Sequence, residues 1–347
     1  MRTTRLLALL GALVLSAPAW ARLPAHAAPS DEDARPLIVA AVVAPRHVSF
    51  VGQMSWIGSG THQAFAYVAK IEHRAPDETR RTYLAPRGVY GEYVVSRGDK
   101  SYDVQSTTKR VVVSENKAMV DPVAVVDDIA LLDGNYRAVR SASDDVADRS
   151  TDVVDLVSRY TGERAMRLWI DHDTHIVLAK EAYHSDGSLA WRTRFDEIRY
   201  TDAIPEAIFS TNVPSGYETI QGRSYARQGA LPSAITEAGF TPITPKFLPD
   251  GFILAGADVS RTPEGVKNLH LLYSDGIRDL SLFENASDRA IDFGDMQVRA
   301  TSFEHRTAQY AHEGSDTLLA WRERQLTFML VGDLDLTELV PIAESVP

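Results

Sequence analysis

Val48-Ser49-Phe50-Val51-Gly52-Gln53-Met54-Ser55-Trp56 is the stretch that decides the fold class of this chain. Val48, Phe50, Met54 and Trp56, with Gly52 among them, alternate with Ser49, Gln53 and Ser55. Successive side chains of an extended strand point to opposite faces, so this period of two predicts a β-strand with one buried face. The same period returns in Phe65, Tyr67, Ala69 and Ile71 after a Gly58-Ser59-Gly60 turn. Residues 89–96 and 101–105 repeat it across an Arg97-Gly98-Asp99-Lys100 loop, and residues 151–159, 164–171, 175–183 and 189–200 carry it further. Asp171-His172-Asp173-Thr174 and Ser185-Asp186-Gly187 supply turn chemistry between the last three, which predicts an antiparallel meander.

Outward from this meander the pattern changes. Ser30 and the acidic Asp31, Glu32 and Asp33 precede an apolar run at 34–44, which reads as a capped helix stopped by Pro45. Val123, Val126, Ile129 and Leu132 recur at three-residue steps, so a short helix or irregular cover is expected over 117–132, starting at Asp121-Pro122. An antiparallel sheet with one apolar face needs covering, and the helices are expected across the concave side of a curved, half-barrel sheet. Alternation lapses over 201–245, where Pro205, Pro214, Pro232, Pro242 and Pro245 read as an exposed link with a short helix near 233–238.

Beyond the link, strands are expected at 252–259, 267–273, 279–284, 296–303, 317–321 and 325–331. An amphipathic helix at 334–346 carries Leu336, Leu339, Val340 and Ala343 on one side. The fold class is therefore α+β, mostly antiparallel β. It divides into a leader at 1–21, a larger domain at 31–210, a link at 211–245 and a smaller domain at 246–347. A chain of 347 residues fits two domains of ordinary size.

Arg2 and Arg5 precede an apolar run at 6–15 and the small-x-small site Ala19-Trp20-Ala21, the form of a cleaved export signal. The run is short of the roughly 20 apolar residues a membrane span requires. Mature protein is expected to be soluble and outside the inner membrane. No cysteine is present, so disulfides and lipid attachment at cysteine are excluded. The formal charge of −11 becomes −13 once the two leader arginines are lost, and nucleic acid is excluded as a partner on that ground.

Motifs that might carry chemistry read more simply as structure. Asp171, His172, Asp173 and His175 resemble metal ligands, yet they sit in one hairpin turn, and a site of that kind usually draws on several segments. Ser114 and Lys117 match a Ser-x-x-Lys spacing without its companion motifs. His184 and His312 show no evident acidic or nucleophilic companion in sequence that would mark a catalytic pair. No catalytic group, cofactor or metal is assigned. The apolar residues Val48, Phe50, Met54, Trp56, Phe65, Tyr67 and Leu168 are the candidates for a ligand cavity, with a closed core of the same residues as the alternative.

In the last hundred residues, Leu248-Pro249-Asp250-Gly251-Phe252, Leu272-Tyr273-Ser274-Asp275-Gly276, Val331-Gly332-Asp333 and Ile342-Ala343-Glu344-Ser345-Val346 follow one another. This combination resembles the periplasmic sigma-E regulators of the RseB/MucB type. Leu168-Trp169-Ile170-Asp171, then the run from Lys180 to Gly187, then Phe195, are similar to the same family's larger domain, itself related to the lipoprotein carriers LolA and LolB. The resemblance implies an incomplete β-barrel holding helices against an apolar pocket, plus a smaller α+β domain. It further implies binding to the periplasmic part of a membrane-anchored anti-sigma factor, and release by acyl chains of mislocalised lipoprotein or lipopolysaccharide, with membrane contact only indirect. A LolA-like lipoprotein carrier is the alternative; such a carrier needs only the first domain.

Overall fold

The computed structural model describes residues 33–59, 64–115, 129–222, 231–261, 265–286, 291, 293, 296–313 and 316–347. The expected leader, the Ser30 cap, Lys117 and most of the 117–132 stretch lie outside them.

Helix α1 (Arg35–Val43) starts behind Asp33, whose Oδ1 accepts the Arg35 N–H at 3.0 Å. The α-helix ends just before Pro45, as expected, and Pro45 occupies the first turn of a following 3-10 segment, Ala44–Arg46, where a missing N–H costs nothing. Among the described residues twelve strands then follow: β1 (Phe50–Ser59), β2 (Ala64–Arg74), β3 (Glu78–Ala85), β4 (Tyr93–Arg97), β5 (Lys100–Gln105), β6 (Arg110–Glu115), β7 (Tyr136–Arg140), β8 (Asp144–Val146), β9 (Arg149–Ser158), β10 (Arg164–Asp171), β11 (Val177–Tyr183) and β12 (Leu189–Tyr200). Helix α2 (Ile129–Asn135) runs straight into β7. Strand β1 pairs with β2 on one side and β12 on the other, which lets two meanders share one sheet.

Two glycines in β1 are required by close approach. The outer end of the Phe65 ring lies against Gly58, where an added Cβ would sit 2.2 Å from Cζ, and at Gly52 a Cβ would meet the Glu197 carbonyl at 2.5 Å.

Strand β3 was not expected, because Thr79, Arg80, Arg81 and Thr82 hide its apolar period. Aromatic faces accommodate the cations: the Arg80 guanidinium lies 3.7 Å from the Tyr93 ring centre, and Arg81 lies 5.2 Å from that of Tyr83. The expected link at 201–245 also differs in its middle. Strand β13 (Glu218–Gln221) pairs in parallel with β6, and its exposed edge position leaves no alternating signature in the sequence.

Helix α3 (Leu231–Ala238) packs on the second sheet, whose strands are β14 (Ile253–Arg261), β15 (Lys267–Ser274), β16 (Asp279–Asn285), β17 (Arg299–Phe303), β18 (Arg306–Glu313), β19 (Asp316–Glu323) and β20 (Leu326–Gly332). Among the described residues the sheet order is β14-β15-β16-β20-β19-β18-β17, all antiparallel. Helix α4 (Leu336–Glu344) opens with a capping box between Asp335 and Glu338 and buries Leu339, Ile342 and Ala343 in the same core. Arg306 donates to the carbonyls of Ala343 at 3.0 Å and Val346 at 2.9 Å, so a strand cation caps the helix end. Both sheets are predominantly antiparallel, as the alternation predicts.

Candidate functional site

Cross-strand partners project from one face, and the register carries a row from Tyr67 through Trp56, Thr193 and Lys180 to Leu168. Adjacent rows join Phe65 to Gly58 and Ala69 to Met54 and Phe195. Phe50, Met54, Trp56, Phe65, Tyr67 and Leu168 therefore share a face of the large sheet, but packing divides them. Phe50 and Met54 are fully buried in one cluster, with Val48 and Trp56 packed against it. Leu168 belongs to a separate cluster with Ile38 and Ala41 of α1. Phe65 and Tyr67 are half-buried and continue an aromatic chain to Tyr83, with ring centres 6.1 Å and 6.0 Å apart.

Arg81 stands in this face, 5.9 Å from the Trp56 ring centre, and its Nε is buried without a hydrogen-bond partner. Burial pushes the Asp103 carboxyl up, against the pull of Gln105 and Arg81. Burial likewise pushes the Tyr83 hydroxyl up. The face is thus an apolar floor with half-buried aromatics, among which Arg81 and Lys180 are cations.

The turn motifs of the smaller domain form a second feature, a polar seam against the corner where α2 meets β7. Asn135 Nδ2 donates to the Gly251 carbonyl at 2.9 Å and to the Asp275 carbonyl at 2.8 Å, and Tyr136 donates its hydroxyl to Asp275 Oδ2 at 2.8 Å. Asp275 Oδ1 is occupied by its own turn, accepting the N–H groups of Ile277 and Arg278 at 2.9 and 2.7 Å. Gly251 (φ +86°) and Gly276 (φ +97°) are needed twice over. Each lies in the left-handed region, and a Cβ would strike the Asn135 side chain at 2.8 Å or the Leu132 N at 3.0 Å.

His184, at the end of β11, finds its acid here: Nδ1 lies 3.3 Å from Asp333 Oδ1. Burial pushes the Asp333 carboxyl up, while His184 and Arg278 pull it down. Burial and the neighbouring Asp275 push the Tyr136 hydroxyl up as well. Beside the seam a cleft of about 350 Å³ opens between the sheets. Tyr160 and Arg164 line it from one domain and Phe247 and Pro249 from the other, with Tyr160 and Phe247 about half exposed.

Asp171 works as a structural knot. It accepts from Arg149 Nε at 2.7 Å, Tyr200 at 3.0 Å and the Thr174 N–H at 2.9 Å. Burial works to raise its pKa, but these donors hold it below the usual carboxylate value. Among the described residues no cluster of three or more His, Asp or Glu side chains has a metal-holding arrangement. Ser114 lies against Gly222 at the end of β13, and its proposed Lys117 companion lies outside the described residues. Sequence reading missed Asp258, His270 and Ser281, which form a chain with Asp258 Oδ2 to His270 Nδ1 at 2.8 Å and His270 Nε2 to Ser281 Oγ at 2.9 Å. Ser281 sits on β16 between two laddered neighbours, so strand pairing consumes the nearby N–H groups and none is aimed as an oxyanion donor. The chain braces three strands.

These features define a predominantly antiparallel β-protein of two sheets: a large one with a partly open apolar face, locked through a corner helix to a smaller one. Residues 65–213 match the family model described as the MucB/RseB N-terminal domain. This domain belongs to the MucB/RseB family, as its resemblance implied. The structure is similar to that of MucB in complex with MucA(peri), at 17% identity over 90% of this chain and 98% of that one, with a TM-score of 0.60. The Pseudomonas aeruginosa MucA/MucB complex matches at 17% identity over 89% and 97%, also at 0.60. MucB solved alone matches at 17% identity over 90% and 96%, with a TM-score of 0.53. No curated protein matches the chain significantly. Among the described residues no helix is long and apolar enough to cross a membrane.

Proposed function

We propose that this chain is an exported periplasmic regulator that binds the periplasmic segment of a membrane-anchored anti-sigma factor. In this reading the large sheet acts as an incomplete barrel that senses a lipid-bearing envelope ligand, and occupancy releases the partner. The observation that supports the reading is that the fold, over 90% of this chain, is similar to that of a MucB solved in complex with MucA(peri). The apolar face suits an acyl chain, since each CH₂ it buries contributes about 0.8 kcal/mol. Tyr160 and Phe247, offered from opposite domains, suit an extended partner segment laid along the cleft.

A pull-down from envelope extract with the full mature chain tests this. Recovery of a single-span anti-sigma factor, lost when residues 246–347 are deleted, is the expected result. Recovery of lipoproteins alone, undiminished by that deletion, would sink the regulator and favour the carrier.

A further inference from the structure

Among the described residues, the carboxylates of Asp171 and Glu284 are fully shielded from solvent, and the chain treats them oppositely. Asp171 is answered by Arg149. Glu284, on β16, has no cation among the described residues. Its register neighbours are Leu269 on β15 and Phe328 on β20, and Phe328 stacks on Trp321 of β19. Across from them Phe240 and Ile243, in the segment that follows α3, pack on the same core. The Ile243 N–H donates to Glu284 Oε2 at 3.0 Å, and Oε1 has no partner.

The surroundings of Glu284 offer little else. Tyr273 on β15 is the ionisable group that feels its field, and its buried hydroxyl also lacks a partner. Burial pushes the Glu284 carboxyl up to about 7, opposed by the single Ile243 bond. An ionised carboxylate here would be a buried charge held by one amide, whereas the neutral acid costs far less.

We propose that Glu284 is a proton-operated latch: neutral, it lets α3 and the segment through Ile243 close on the smaller sheet, and ionised, it loosens them. The segment has a purchase on the rest of the molecule. It runs directly into Phe247 and Pro249, which wall the cleft, and its upstream end is tied by Lys267 Nζ to the Glu237 carbonyl at 2.6 Å. Proton uptake at one buried site therefore tightens a wall of the cleft, and proton loss relaxes it.

The sign follows from linkage. With the opened state at the ordinary 4.5 and the closed state at about 7, the closed form gains nothing from acid below 4.5. Between those values it loses about tenfold in closing equilibrium per pH unit, and above about 7 the loss is complete. Amide hydrogen exchange on the full mature chain, corrected for intrinsic rates and run from about pH 5 to about pH 9, reads this directly. Protection at 239–247 should fall with pH and level off near 7, and Glu284→Gln should flatten the profile. A wild-type profile already flat, or a slope that survives in Glu284→Gln, overturns the latch. Should that variant not fold, Glu284→Leu is the second test, and the wild-type slope decides by itself.

Discussion

Asn135→Leu is the substitution that most directly probes the seam. Leucine keeps the branched outline and heavy-atom count of asparagine and removes both donor hydrogens, leaving the Gly251 and Asp275 carbonyls without the side chain that satisfies them. A buried polar group left unpaired costs about 1–3 kcal/mol, and the Gly251 end is only partly buried, so the total is about 3 kcal/mol. That cost falls on docking and spares each domain's interior, because the two domains bury different cores. Each 1.4 kcal/mol is tenfold, so the docked-to-undocked ratio should drop about 100-fold. Differential scanning calorimetry should show unfolding that is less cooperative between domains, and small-angle scattering a larger radius of gyration. Asn135→Asp should be worse, because it sets a carboxylate against two carbonyl oxygens and beside the Asp275 side chain. Unchanged cooperativity and radius in Asn135→Leu, or an Asn135→Asp milder than Asn135→Leu, would refute the seam's role.

Arg149→Met should destabilise the larger domain by about 3 kcal/mol in urea melts, since it strands a fully buried carboxylate. Asp171's folded pKa is depressed, so its stabilisation is present above the unfolded value and lost as pH falls through the folded one; the gap between wild type and Arg149→Met should therefore narrow in acid. Glu284 carries the opposite sign: wild-type stability should decline relative to Glu284→Gln from pH 4.5 to about 7, by about 3 kcal/mol in all, and parallel profiles would dismiss it. Leu168→Ala should cost about 2–5 kcal/mol and, in a double-mutant cycle with Asn135→Leu, give a non-zero coupling energy, whereas strict additivity would separate the face from the seam.

Alternation made the two sheets legible wherever one face was buried and the other wet, as in β10 and β12, whose observed limits coincide with those read from the sequence. It failed at β3, where arginines lie on aromatic faces, and at β18, whose Arg306 and His312 obscure the period. The seam was legible only in part. Pro249, Asp250, Gly251, Asp275 and Gly276 announce turns, but turn chemistry is the same whether the turn meets water or another domain. What distinguishes them here is Asn135, 116 residues before one acceptor and 140 before the other. The companion of His184 was hidden for the same reason, since Asp333 belongs to another sheet. Latent sites such as Glu284 leave no pattern at all, because a strand position holding Glu reads as exposed until the fold covers it.

One packed cluster joins the apolar face to the seam. Leu168 shares it with Ile38 and Ala41 of α1, with Leu132 and Tyr136 at the α2–β7 corner, and with Ile277 from the smaller domain. Ile277 follows the Asp275-Gly276 turn that receives Asn135, so the residues packing under α1 and those docking the second sheet are in continuous contact. A ligand that lifts α1 from Leu168 removes support from Leu132, one turn before the Asn135 amide. Close-packed interiors transmit such a shift because neighbouring side chains have no free volume to absorb it. The coupling has a definite size limit: a ligand moves the docked equilibrium only by the difference between its affinities for the two states. With about 3 kcal/mol held in the Asn135 bonds, an acyl chain would have to bury about four CH₂ groups more in the undocked state to offset them. Under the proposed lipid-sensing function, chains of ordinary lipid length would exceed that several-fold and a short-chain fatty acid would not, so the seam would ignore small apolar metabolites and yield to a lipid.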